Sequence, residues 1–194
     1  PETEHLVIEA LDCAKSMTAQ SQPLQIADVG TGSGAIAIAV ALHQPSALVT
    51  ATDISPDALE VARWNADKHE VADRIRFVEA DLLDDVTDPN MFDLICSNPP
   101  YVSESEFAQL DASVRDHEPK TALVAGEDGT EVIKRLMAES YPRLNPGGRL
   151  IIELSPMIAE ACEELAEQIS ELGDLRFVKD LAGHKRIISL GRAE

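Results

Sequence analysis

The stretch CSNPPY (96–101) follows the apolar run FDLI (92–95), so an amide and two prolines stand where a buried strand would end. Pro99 and Pro100 have no backbone N–H and a fixed φ, which makes the turn stiff. A stiff turn holds the Asn98 side-chain oxygen and a proline carbonyl in set directions, as two acceptors converging on one point. A planar –NH2 group has two hydrogens and satisfies both, while one face of its nitrogen stays open to an electrophile. Tyr101 is placed to stack on such a group. The chemistry this suits is alkylation of an amide or exocyclic amine nitrogen, a weak nucleophile because its lone pair is delocalised. No base accompanies the motif, so the rate must come from orientation and electrostatics. Orientation is worth roughly 7 kcal/mol or more in favourable cases, and a preorganised polar group about 3 kcal/mol.

A second constellation is DVGTGSGAIAIAVA (28–41), a glycine turn leading into a helix of small residues. Gly30, Gly32 and Gly34 allow a tight turn and close approach of backbone to a ligand. The helix behind them turns N–H groups and the positive end of its dipole the same way. Asp53 closes the next strand, where an acidic side chain commonly holds ribose hydroxyls. In EADLL (79–83), Asp81 is expected to accept from an adenine amino group, with Leu82 against the base. The ligand is therefore expected to carry a nucleoside. Gly30, Gly32 and Ala35 also satisfy the dinucleotide pattern, so the turn alone leaves a nicotinamide-dependent oxidoreductase open.

The elements that must position these residues alternate along the chain. LQIADVG (24–30), ALVTATD (47–53), RIRFVEAD (74–81), FDLICSN (92–98) and GRLIIEL (148–154) are β-rich runs separated by helical patterns. LRFVKDL (175–181) and RIISLGR (186–192) are close enough for an antiparallel pair. Ser55-Pro56 and Ser155-Pro156 each place a capping hydroxyl before a proline at the first helical position. After the second, Ile158, Cys162, Leu165, Ile169 and Leu172 read as one sheet-packing helix ending at Gly173. The fold class is α/β, Rossmann-like, with a mostly parallel seven-stranded sheet and a C-terminal antiparallel hairpin. If the fourth strand lies beside the first, Asn98 emerges next to the glycine turn, where open α/β sheets bind ligands.

Composition narrows the partners. The chain has 194 residues, 44% of them hydrophobic, enough for one core and a single domain. Its formal charge of −19, with only 16 basic residues, disfavours nucleic acid, whose backbone is gripped mainly through Lys and Arg. There is neither a membrane-length apolar run nor a basic-then-apolar leader, so a cytoplasmic protein is expected. Cys13, Cys96 and Cys162 are far apart and read as reduced, buried small hydrophobes. The five histidines lack ligand spacing, so no metal is expected; His117 alone is worth noting, beside Glu118-Pro119.

DVGTGSG, Asp53 and NPPY together resemble a class I S-adenosylmethionine-dependent methyltransferase acting on a planar nitrogen. More narrowly, PETE (1–4), SNPPYVSESE (97–106), VRDHEPKTALVAGEDGTEVI (114–133) and DLAGHKRI (180–187) resemble the HemK/PrmC family of protein-glutamine N-methyltransferases. The resemblance covers nearly the whole chain and implies methylation of the glutamine in the Gly-Gly-Gln motif of peptide chain release factors. It implies that Gly30, Thr31, Gly32, Ser33 and Gly34 line the methionine part of S-adenosylmethionine, Asp53 its ribose, and Asp81 and Leu82 its adenine. Asn98 and Pro99 would hold the glutamine amide beside the cofactor, Pro100 and Tyr101 would complete the wall, and Glu118 would belong to a loop on the substrate side. Two departures stand out. The chain starts without Met inside a helical pattern, and reads as a catalytic domain (1–194) lacking the family's N-terminal helical domain. After IIEL it continues SPMIAE, where relatives often carry Gly and Gln. Other readings are methylation of a ribosomal protein glutamine or of a nucleic acid base, a dehydrogenase, and a non-catalytic binding module.

Overall fold

A computed structural model of the chain describes residues 2–17, 23–84, 86–87, 91–102, 125–126, 128–169 and 172–193. The helical pattern at the start forms α1 (Glu2–Met17), which precedes β1 (Leu24–Val29), α2 (Ala35–His43), β2 (Ala47–Asp53), α3 (Pro56–Lys68), β3 (Ile75–Glu79) and β4 (Phe92–Ser97). Then come α4 (Glu131–Ser140), β5 (Leu144–Glu153), α5 (Ala159–Glu167), β6 (Leu172–Lys179) and β7 (Lys185–Arg192). Among the described residues the seven strands form one sheet in the order β3-β2-β1-β4-β5-β7-β6. The first five strands pair in parallel, and β7 pairs antiparallel with β5 and β6. No described helix is long and apolar enough to cross a membrane.

Every residue of β4 is buried, as a strand covered on both faces must be. Leu94 and Cys96 face a core shared with α1, α2 and α3, while Ile95 faces one shared with α4 and α5. The helices thus change sides between β1 and β4, which makes the carboxyl edge of that pair the switch point. The opposite end is tied by Asp93, whose carboxylate accepts from the Gln25 N–H at 2.8 Å and the Asn145 side-chain amide at 2.9 Å. Cys13, Cys96 and Cys162 are all buried free thiols.

Ser55 caps α3, accepting from the Ala58 N–H at 3.2 Å with Pro56 behind it. Ser155 caps a short 3-10 turn, Pro156–Ile158, accepting from the Met157 N–H at 3.3 Å. The stripe from Ile158 to Leu172 is not one helix. α5 stops at Glu167, the Gln168 and Ile169 N–H groups close tighter turns onto Leu165 and Ala166, and Leu172 and Gly173 belong to β6. Gly173 lies opposite Gly191 of β7, so strand pairing overrides a periodicity that helix and turn share.

Gly34 is constrained by packing. Its φ is +85°, and a Cβ there would sit 3.1 Å from the Ile38 side chain and 3.2 Å from Ala62 of α3. Gly34→Ala combines left-handed strain with crowding, each worth about 1 kcal/mol or more. A fall in Tm of about 5 °C is expected by calorimetry; an unchanged Tm would show that α2 and α3 can separate at no cost.

Candidate functional site

The glycine turn leaves β1 with Gly30 at φ +70° and Gly32 at φ +56°, and a Cβ at either would meet no atom within 4 Å. The space above these two glycines is open, which an approaching ligand needs. Thr31 is buried and donates its N–H to the Thr52 carbonyl at 2.8 Å, locking the turn to the end of β2. The Asp53 carboxylate accepts from the Gly32 N–H at 2.8 Å and the Ser55 N–H at 2.9 Å. Two backbone bonds orient it and leave lone pairs for hydroxyl donors. Ser33 is exposed, and its carbonyl accepts from the Asn65 side chain at 2.9 Å. Together with Gly34 it turns toward α3, so the two contribute to the turn's shape.

Asp28, the next-to-last residue of β1, was not singled out in the sequence although it stands two positions before the first glycine of the turn. It is 1% exposed. One carboxylate oxygen accepts from the Thr31 hydroxyl at 2.6 Å and the Ala37 N–H at 2.9 Å. The other, Oδ1, is buried without a hydrogen-bond partner among the described residues. Burial, with a smaller contribution from the charge of Asp53, pushes the carboxyl from an ordinary 3.8 up to about 6 against the lowering effect of those two bonds. An acidic residue at the end of an apolar strand, just before Gly-x-Gly, was the available signal.

Asp81 lies just past β3, half exposed, and pairs with Arg135 of α4 at 3.1 Å; Arg135 also reaches Glu139 at 3.3 Å. Leu82 is half-buried and holds φ +54°, unusual outside glycine. Its carbonyl accepts from the Thr52 hydroxyl at 2.8 Å, which fixes that conformation beside the end of β2.

Parallel pairing of Val29 with Ser97 brings Gly30 and Asn98 out of the sheet side by side. The Ser97 hydroxyl donates to the Val29 carbonyl at 2.7 Å, tying the two strand ends together. Asn98 is half-buried, Pro99 buried, and Pro100 and Tyr101 half-buried. The Asn98 amide nitrogen donates to the Thr3 hydroxyl of α1 at 3.2 Å, so its oxygen points the other way. Directly beyond the turn, the Val102 carbonyl accepts from the Ala125 N–H at 2.9 Å. His117, Glu118 and Pro119 lie outside the described residues. Of the other histidines, His43, His69 and His184 are exposed and His5 is half-buried. No group of three described His, Cys, Asp or Glu side chains could hold a metal ion.

The family pattern described as methyltransferase small domain matches residues 6–114, more than half of the chain. The chain belongs to that methyltransferase family. It is 50% identical over 193 residues to a release factor glutamine methyltransferase of Rhodopirellula baltica, covering 100% of this chain and 65% of that protein. It is 42% identical to one of Deinococcus radiodurans, covering 100% of this chain and 66% of the other. The chain thus spans just under two thirds of the length of these relatives. Among solved structures, a ribosomal protein L11 methylase of Lactobacillus delbrueckii superposes with a TM-score of 0.68 at 25% identity, over 99% of this chain and 79% of its own. A methyltransferase of Pyrococcus furiosus superposes with a TM-score of 0.66 at 19% identity, over 97% of this chain and 83% of its own. The α/β sheet of this methyltransferase-family chain is therefore the class I methyltransferase fold, and fold and family imply S-adenosylmethionine as the methyl donor.

Proposed function

We propose that the chain methylates the side-chain amide nitrogen of the glutamine in the Gly-Gly-Gln motif of peptide chain release factors, using S-adenosylmethionine. The observation that carries this reading is the pairing of β1 with β4, which sets the Asn-Pro-Pro-Tyr turn against the glycine turn. The names of the relatives point to the same acceptor.

The residues present fit the cofactor. Asp28 offers a buried carboxylate oxygen with no hydrogen-bond partner among the described residues, suited to the ammonium of the methionine moiety. Gly30 and Gly32 are open above, beside Thr31, Ser33 and Gly34. Asp53 is oriented for the ribose hydroxyls, and Asp81 and Leu82 flank the place for the adenine. When bound, the cofactor supplies an electrophilic methyl group.

The chain's own contribution is to aim the acceptor. The Asn98 oxygen and the Pro99 carbonyl take one hydrogen each from the glutamine –NH2, which fixes the nitrogen and presents one face. Pro100 and Tyr101 wall the planar amide, and Glu118, outside the described residues, is assigned to the substrate side by the family resemblance alone. Two neutral acceptors place negative dipole ends beside a nitrogen that gains positive charge as it is alkylated, and this electrostatic help costs no reorganisation.

Incubation with labelled S-adenosylmethionine tests the assignment, using a release factor, its Gln→Ala version in the Gly-Gly-Gln loop, a ribosomal protein and an RNA as acceptors. Label on the first alone is expected. Equal label on the Gln→Ala version, or label chiefly on another acceptor, would overturn the proposed substrate. The ribosomal protein belongs in the set because of the structural likeness to an L11 methylase. The RNA tests the reading that the charge of −19 disfavours.

A further inference from the structure

Ile188 of β7 stands level with Ser97 of β4, because Ser97 pairs with Ile152 of β5 and Ile152 with Ile188. β7 runs antiparallel to β5, so the residues before Ile188 continue past the carboxyl edge of the sheet, on the side where Asn98 emerges. Lys185, where β7 begins, lies about 10 Å beyond that level at about 3.3 Å per residue, and the turn joining β6 to β7 projects further. Two strand spacings, again about 10 Å, separate this hairpin from the strand that leads into the Asn-Pro-Pro-Tyr turn.

The tip of the hairpin, exposed from Leu181 to His184, is held by hydrogen bonds rather than by packing. The Asp180 carboxylate accepts from the Ala182 N–H, the His184 N–H and the Arg186 Nε–H, each at 2.9 Å. The Asp180 N–H donates to the His184 carbonyl and the Asp180 carbonyl accepts from the Gly183 N–H, both at 2.9 Å, with Gly183 at φ +88°. One residue thus staples the turn from within, and Leu181 at its apex is fully exposed. Met157, in the 3-10 turn after β5 at the same edge, is also exposed. A single exposed leucine is ordinary on a protein surface; this one is fixed on a stapled turn beside the methyl-transfer site. An apolar side chain carried on a preorganised turn loses little freedom when it is covered, as an interface anchor requires. A glutamine on a protein loop cannot enter the Asn-Pro-Pro-Tyr turn without bringing its own protein's surface over this edge. We propose that Leu181 is a docking residue for the acceptor protein, covered by an apolar patch of that protein when its glutamine enters the site. This deepens the methyl-transfer reading above and rests on it for the acceptor.

The test measures steady-state methylation of a release factor by the parent, Leu181→Ser and Leu181→Met, with cofactor saturating. Because the Leu181 side chain is not buried in the free chain, Leu181→Ser is expected to keep Tm and the affinity for S-adenosylmethionine. Its KM for the release factor should rise about ten- to a hundredfold, the worth of burying one leucine side chain, with kcat held. Leu181→Met, which keeps an apolar chain, should return KM to within a few-fold of the parent. Unchanged KM in Leu181→Ser, or a loss of kcat or of cofactor affinity in place of the rise in KM, would overturn the proposal. If the release factor takes no label, the assigned acceptor fails, and the same three chains are compared on the ribosomal protein. A raised KM there keeps the docking role with a different acceptor protein; an unchanged KM, label on RNA alone, or label on no protein overturns it.

Discussion

Asn98→Ala is expected to lower kcat by about 10²–10³, the cost of about 3 to 4 kcal/mol for one preorganised polar group, while S-adenosylmethionine still binds within a few-fold of its original affinity. The reason is the division of labour at the switch point. The open glycines, Asp28 and Asp53 lie on β1, β2 and the turn after β1, whereas the amide acceptor stands in the turn directly after β4. Removing it leaves an acceptor glutamine with one hydrogen bond in place of two, free to rotate its nitrogen away from the methyl group. The backbone is undisturbed, since Ser97 still ties β4 to β1 and the prolines still set the turn. Single-turnover kinetics with saturating cofactor separate the effect from binding. Turnover within threefold of the parent would remove the paired acceptors from the mechanism.

The second large effect concerns Asp28. Its carboxyl, pushed up to about 6 by burial, takes its proton more readily in the fold than in the unfolded chain. A raised folded value means that this group's contribution to stability is fully present below the unfolded value of 3.8 and is lost as pH rises through about 6. Ionised Asp28 thus weakens the empty protein at neutral pH, by an order of 2 to 3 kcal/mol, and a cationic ligand against Oδ1 reverses the loss. Two outcomes follow. The affinity for S-adenosylmethionine should rise as pH increases from 5 to 8, because the carboxylate that pairs with the ammonium is then formed. Asp28→Asn should flatten that profile and weaken binding about ten- to a hundredfold at pH 8, the worth of a hydrogen bond between charged groups. Asp28→Asn should also unfold at a temperature equal to or above that of the cofactor-free parent at pH 8, with the advantage fading toward pH 4. Calorimetric titration and thermal unfolding across this range measure both. A parent affinity that is flat with pH, matched by the variant, would remove Asp28 from the cofactor site.

Several residues changed meaning between the sequence and the structure. Gly30 and Gly32 have the open space that a ligand turn requires, but Gly34, from the same motif, faces Ala62 and serves helix packing. Spacing could not separate them, since all three sit at positive φ. The stripe from Ile158 to Leu172 was legible as apolar and buried, yet its division into helix, turn and strand depends on β7, which follows it in the chain. Asp81 was legible as an acid at the strand edge, while its partner Arg135 comes from α4, far along the sequence.

What the sequence by itself determined is local: alternating strands and helices, a glycine turn after the first strand, an acid closing the second, and a stiff Asn-Pro-Pro-Tyr turn after the fourth. Hydrophobic periodicity and turn chemistry act within a few residues, so they can be read from spacing. What only the tertiary structure decided is which local pieces meet. Sheet order sets Asn98 beside Gly30, burial leaves one oxygen of Asp28 without a hydrogen-bond partner among the described residues, and the Thr3 hydroxyl meets the Asn98 amide across 95 positions of chain. The physical reason is that burial and hydrogen-bond pairing are properties of neighbours in space. The two prolines restrict the backbone at Asn98, and the hydroxyl that its amide meets comes from the first turn of α1.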